Sequence, residues 1–252
     1  MEGPGVHAIA DRLAPLAGRK ITSFKGRSRF PLRRLVGREV ERVYPVGKLL
    51  FVKVPPCTLR VHFLMWGRYR LNEEIAGKTP KLTIGFDDGS CLRFYASAIA
   101  LLSVGEARSL YNPALDPLDD AWDPGNAARL VKGKGREWIC DSLMDQLILP
   151  GVGNIIKNEA LFAARVHPRS PSTCIPDTVL RNLLPEVRDF SFRMYECDRE
   201  GRSIRPFLSI YGKRTCPVCG GRVESGKIGR LGRITYWCPS CQTEYRCRKP
   251  AN

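Results

Sequence analysis

Four cysteines fall in two C-x-x-C pairs, Cys216-Pro-Val-Cys219 and Cys238-Pro-Ser-Cys241, with 18 residues between the pairs. Each pair sets two thiolates on one tight turn, and two such turns complete a tetrahedral set of four sulfurs for one Zn2+. A redox dithiol needs one pair, not two. Four thiolates fill the coordination of zinc and leave no open position for a reacting molecule, so the ion is expected to be structural. It would hold up a segment whose core is too small to fold alone. The stretch between the pairs, GGRVESGKIGRLGRITYW, reads as one β-hairpin. It carries Arg222, Arg230 and Arg233, which suit presentation of guanidinium groups to phosphate.

A second constellation is Leu149-Pro-Gly-Val-Gly-Asn154, between two amphipathic segments. Pro150 and Gly151 break the first, Gly153 permits a tight turn with close approach by another backbone, and Asn154 reads as the N-cap of NIIKNEALF. Exposed N–H groups at such a start bind anions. The spacing alone fits an ordinary helical hairpin equally well. A third is the opening MEGPGV, in which an acidic residue directly follows the first amine and a Gly-Pro-Gly run follows that.

The elements that must position these residues change period along the chain. Val6, Ile9, Leu13 and Leu16 have helical spacing, with Pro4 tolerated in the first turn and Pro15 ending the helix. From 19 to about 100 short β-rich runs follow: RKITSF, REVERVYPV, GKLLFVKV, CTLRVHF, GRYRLN, KLTIGF and CLRFYA. Asp87-Asp88-Gly89-Ser90 is a hairpin signal. Such strands predict an antiparallel sandwich or barrel. A linker rich in proline and aspartate spans 111–126. Helical periods then return in AARLVKG, REWICDSLMDQLI, NIIKNEALFAARV and DTVLRNLLPEVRDFSFRMYECD, and the cysteine pairs lie in a third segment beginning near 209.

The 252 residues include 41 Lys and Arg against 25 Asp and Glu, a net charge of +16. That excess attracts polyanions, nucleic acid foremost. A membrane surface would call for a basic amphipathic helix or a lipidation signal, and neither is seen. No apolar run approaches the ~20 residues that span a bilayer. Glu2 and Asp11 stand where a signal peptide would place basic and then apolar residues. The expectation is an intracellular, DNA-associated monomer with reduced thiols. Cys57, Cys91, Cys140, Cys174, Cys197 and Cys247 then read as buried or idle thiols.

Five stretches in order resemble one family. MEGPGV, GKLLFVK at 47–53, HFLMWG at 62–67, LPGVGNIIKNEALFAARVHP at 149–168 and GRITYWCPSCQ at 232–242 are similar to the Fpg/Nei DNA glycosylases. YASAIALL at 95–102 resembles the Nei (endonuclease VIII) side. FSFRMYECDREGRSIRPFLSIYGKRTC resembles the Nei-like subgroup best known from vertebrates, which favours lesions in single-stranded DNA. The resemblance implies an α+β multidomain fold. It has an N-terminal antiparallel β-sandwich with flanking helices at 1–112, a helix–two-turn–helix domain at 113–208 and a β-hairpin zinc finger at 209–248. It also implies base-excision repair: removal of oxidised bases, pyrimidines first, from double- or single-stranded DNA, with AP lyase cleavage of the strand.

Family members expose proline as the first mature residue, with glutamate second. Here the chain reads Met-Glu-Gly-Pro, and Met is removed only before small residues, so Met1 occupies the place of the nucleophile. A primary α-amine, with a reference pKa of roughly 7.7–8.0, is partly neutral near pH 7 and can form a Schiff base. The resemblance makes Glu2 the proton shuttle and gives Lys48 and Arg233 to phosphates flanking the lesion, with Asn154 in the same phosphate region. Read alone, Lys48 is a solvated strand lysine. Leu64, Met65 and Trp66 stand where the family inserts side chains into the space left by an extruded base; sandwich core is the other reading. A catalytically silent binder of damaged or single-stranded DNA, retaining the fold, is the competing function.

Overall fold

The structure is a computed structural model and describes residues 1–26 and 30–247. The last residue expected for the finger, 248, lies outside the described residues. The chain divides into two compact units. The first consists of Met1 and Gly3–Asn112, and the second takes in Glu2 and the chain from Pro113 onward.

In the first unit, helix α1 (Gly3–Leu13) buries Val6, Ile9 and Leu13, the spacing of one helical face. It stops before Pro15, which lies in the short 3-10 turn Ala14–Leu16. Eight strands follow: β1 (Ile21–Gly26), β2 (Arg42–Val46), β3 (Leu49–Val54), β4 (Cys57–His62), β5 (Arg68–Leu71), β6 (Leu82–Phe86), β7 (Cys91–Tyr95) and β8 (Ala98–Ser103). They form two four-stranded antiparallel sheets, in the orders β1-β6-β7-β5 and β2-β3-β4-β8. Leu50, Val52, Leu59 and Val61 of one sheet share a core with Ile21, Ile84, Leu92 and Phe94 of the other, closed by the apolar face of α1. Burying each such side chain is worth about 1.5–3 kcal/mol, enough to hold the sheets face to face. Pro55 and Pro56 make the β3–β4 turn, and Asp87–Ser90 makes the β6–β7 turn. Strand β8 escapes the sequence reading because its side chains are half exposed in succession, without alternation. Ser103 then caps helix α2 (Val104–Ser109) in a reciprocal box with Glu106.

The second unit contains α3 (Pro124–Gly133), α4 (Ile139–Ser142), α5 (Asn154–Ala163), α6 (Asp177–Glu200) and the hairpin β9 (Glu224–Ile228) and β10 (Arg233–Trp237). The helix expected over 136–148 is corrected to the single turn of α4. Asp145 Oδ1 accepts the Leu147 N–H and Gln146 Oε1 accepts the Gly151 N–H, so side chains take donors that a continuing helix would use. Leu143, Leu149, Ile156, Leu161, Leu180 and Leu184 form the core of this unit, with Ile228 and Trp237 of the hairpin packed into it. Cys174 and Cys247 are also corrected: they form a disulfide, with Cα atoms 4.9 Å apart. Residues 73 apart in sequence meet because Val166 bridges Thr243 and the Ser170 hydroxyl accepts the Tyr245 N–H, which lays the chain after the finger along this unit. Cys140 and Cys197 are buried thiols. No helix is long and apolar enough to cross a membrane among the described residues.

Candidate active site

In the first unit the amine of Met1 donates to the carbonyl oxygen of Leu64 at 3.2 Å. That carbonyl is aimed by Leu64 itself, whose φ of 51° is left-handed. A non-glycine residue adopts that conformation at a cost of about 1–2 kcal/mol. The turn is closed by Gly67, whose N–H donates to the Phe63 carbonyl at 2.6 Å; a Cβ there would lie 1.9 Å from that oxygen. The side chains between, Leu64, Met65 and Trp66, are 49%, 71% and 74% exposed, so none belongs to the sandwich core. They line an open hollow of about 810 Å3 with Lys81 and Ser97.

His62 ends β4 opposite Leu49, the residue after Lys48. Its pKa is lowered, first by burial and then by the positive charges of the Met1 amine, Lys48 and Arg60. The neutral imidazole is thus favoured, beside the Met1 amine and Lys48, which the sequence assigned to chemistry. The sequence reading gave His62 no role, although it heads the quoted HFLMWG stretch.

In the second unit the Glu2 carboxylate accepts two backbone N–H groups at the start of α5, from Ile155 at 2.7 Å and Ile156 at 3.3 Å. These are donors that a helix leaves without internal partners, and an acidic group is favoured there. The N-cap is Gly153, not Asn154 as expected, and it makes no side-chain cap. Its φ of −120° is open to any residue. What glycine supplies is space, because a Cβ at 153 would lie 2.3 Å from Glu2 Cδ. The close approach expected from another backbone is thus made by the Glu2 side chain. Asn154, released from capping, is buried and donates from Nδ2 to the Ile234 carbonyl at 2.9 Å.

The polar side of α5 docks the finger. Asn158 Oδ1 accepts the Tyr236 N–H at 2.7 Å. The Glu159 carboxylate accepts the N–H groups of Ser209, Ile210 and Tyr211. Asp141 of α4, also buried, accepts from Arg230 N–H at 2.6 Å and Leu231 N–H at 3.2 Å and so fixes the β9–β10 turn. Arg233 opens β10 beyond that turn, opposite Ile228, with its side chain exposed.

Cys216, Cys219, Cys238 and Cys241 place their Sγ atoms all within 4.8 Å of one another. The Cys216–Cys241 and Cys219–Cys238 separations are 3.8 and 3.6 Å. A ZnS4 tetrahedron with Zn–S of ~2.3 Å has edges of ~3.8 Å, so the donor set fits zinc. The local core is Phe162, Ile210, Val223 and two of the cysteines, too little to hold the finger alone. Chelation with phenanthroline is therefore expected to release one Zn2+ per chain and expose Trp237, costing more than about 4 kcal/mol of stability. Metal analysis alongside Trp237 fluorescence checks this; a chain that stays metal-free with an unchanged melting curve refutes it.

Comparison with known proteins supplies the rest. The formamidopyrimidine-DNA glycosylase N-terminal domain matches residues 1–97 and the formamidopyrimidine-DNA glycosylase H2TH domain matches residues 114–201. The chain belongs to the Fpg/Nei family. Among its relatives is Endonuclease 8-like 3 of Mus musculus, 35% identical over 84% of this chain but 36% of that protein. The chain thus spans about a third of the length of that relative. The Formamidopyrimidine-DNA glycosylase of Listeria monocytogenes is 30% identical over 82% of this chain and 83% of its own. A solved Lactococcus lactis Fpg bound to DNA containing an AP site superposes with a TM-score of 0.84 over 97% of this chain and all of its own, at 22% identity. A viral DNA glycosylase superposes at 0.82 and 24% identity over 96% of this chain and all of its own. At such identities these structures speak for the fold alone, which in this chain is antiparallel sheets with helices and a C-terminal hairpin flanked by the four cysteines.

Proposed function

We propose that the chain is a DNA glycosylase with AP lyase activity. It removes oxidised bases, pyrimidines foremost, through a Schiff base on the Met1 amine. The observation that carries this reading is the amine held at 3.2 Å by the Leu64 carbonyl, with the Met65 and Trp66 side chains exposed on the same turn. Membership of the Fpg/Nei family supports it, as does the net charge of +16.

The neutral amine donates its lone pair to C1′ of the damaged nucleotide. The electron pair of the N-glycosidic bond leaves with the base, which takes up a proton. Opening of the sugar puts a proton on O4′ and leaves an iminium between Met1 N and C1′. Loss of a C2′ proton then expels the 3′ phosphate, and water hydrolyses the imine. Glu2 carries the protons in these steps, held ready by two backbone N–H groups. Lys48, Asn154 and Arg233 hold phosphates beside the lesion. Leu64, Met65 and Trp66 occupy the space that the extruded base leaves. Cys216, Cys219, Cys238 and Cys241 would hold one structural Zn2+, which would keep the hairpin that carries Arg233 in place.

The test is borohydride reduction with single- and double-stranded oligonucleotides carrying defined lesions, followed by mass spectrometry. An adduct on the Met1 peptide is the expected result. Tight lesion binding without an adduct would support the silent binder instead, a reading favoured by methionine standing where the family has proline. Arg233→Ala should weaken lesion binding by about 10–100-fold, the loss of a charge-assisted contact, with zinc content unchanged. The slope of binding against log salt should fall by about one. Wild-type affinity in that variant would remove Arg233 from the site.

A further inference from the structure

Lys157, the fourth residue of α5, has no part in the proposed reaction, yet it is fully buried. Its Nζ donates to Asn154 Oδ1 at 2.8 Å and to Thr235 Oγ1 at 2.7 Å. An ammonium can only donate, so the carboxamide atom facing it must be oxygen. The Ile234 carbonyl can only accept, so the atom facing it must be nitrogen. Together the two contacts leave the Asn154 carboxamide one orientation. The same ammonium joins the first turn of α5 to the middle of β10, two residues beyond Arg233.

We propose that Lys157 is a positioning residue: it fixes the Asn154 carboxamide with Nδ2 on β10, leaving the second N–H of Nδ2 for a phosphate, and holds β10 so that Arg233 is presented beside it. This rests on the DNA-binding reading above. An apolar side chain of the same length would fill the space and leave the Asn154 carboxamide oriented by the Ile234 carbonyl without its second contact. It would also strip a hydrogen bond from two buried oxygens.

Burial lowers the Lys157 pKa to about 8, with Arg233 of β10 acting in the same direction and Cys140 and Asp141 of α4 and the Glu2 carboxylate opposing. The proton is therefore present at pH 7 and is lost as pH rises through about 8. A neutral amine keeps two N–H groups but loses the charge that makes these bonds roughly twice as strong. Phosphate binding should weaken severalfold across that window, while the Arg and exposed Lys side chains keep their charge.

The experiment uses the whole chain, a fluorescent oligonucleotide bearing a tetrahydrofuran abasic analogue, and the variants Lys157→Met, Asn154→Ala and their double. Lys157→Met is expected to bind about tenfold more weakly than wild type at pH 7. It should also lose the decline above pH 8 and cost less in the Asn154→Ala background than in wild type, the remainder coming from the lost hold on β10. Wild-type affinity in Lys157→Met, or a full additional loss in the double variant, overturns the assignment. A wild-type chain that fails to bind the oligonucleotide overturns the DNA reading itself, and the assignment with it. NMR of the wild type needs no variant to fold: the Asn154 side-chain amide should shift with the midpoint of the Lys157 Cε resonance. An Asn154 signal indifferent to that titration also overturns it.

Discussion

One glycine added ahead of Met1 will abolish the borohydride-trapped adduct while leaving lesion binding within about threefold of the native chain. The amine donates to the Leu64 carbonyl, which is aimed by a left-handed backbone and a glycine-closed turn. A further residue carries the amine up to about 3.5 Å away. Misplacement by ~1 Å can already cost about a hundredfold, so a loss of at least about a thousandfold in single-turnover cleavage is expected. The Leu64–Trp66 turn, Lys48, Asn154 and Arg233 are untouched, which is why binding survives. Met1→Val, made behind an initiator methionine that is removed before the small residue, keeps a primary amine at the same place and should retain the adduct. The proposal is falsified if the extended chain forms as much adduct as the native one.

Most of the fold was legible because it is written in periods. Seven of the strands follow from short β-rich runs bounded by turn residues, and α1 from four apolar residues on one face. The errors have local causes. β8 lies half exposed along its whole length, so no alternation marks it. In 136–148 the apolar spacing is helical, but Asp145 and Gln146 redirect the backbone. The Cys174–Cys247 disulfide depends on the path of the chain after the finger, which no spacing rule encodes.

The site was legible as residue types and less so as roles. Two C-x-x-C pairs specify their geometry by themselves, and the sulfurs lie as zinc requires. Asn154 looked like a cap because position and chemistry agree; the Glu2 carboxylate takes the donors instead, from far away in sequence. The polar residues of α5 are not a solvated face: Asn154, Lys157, Asn158 and Glu159 are all buried. Their polarity serves the docking of the finger, whose backbone and Thr235 hydroxyl they meet. Binary patterning cannot distinguish a polar face turned to water from one turned to a small, polar neighbour.

Gly153→Ala is expected to cost about 1 kcal/mol in stability and roughly a hundred- to a thousandfold in single-turnover cleavage. The backbone of Gly153, at φ −120° and ψ −163°, is one alanine adopts freely, so no strain arises there. The stability cost comes from a poorer N-cap. The activity cost has a different origin, because the new methyl would sit 2.3 Å from Glu2 Cδ and 2.5 Å from Oε1. Something must shift, and a shift of the Glu2 side chain stretches the bonds it accepts from the N–H groups of Ile155 and Ile156. Once displaced, the carboxylate leaves the position from which it is proposed to move protons. The Gly153→Ala variant should therefore resemble Glu2→Gln, and combining the two should cost little more than either alone. Additive losses would mean that Gly153 acts through the backbone of the α5 turn, and a fully active Gly153→Ala would remove Glu2 from the proton-transfer role.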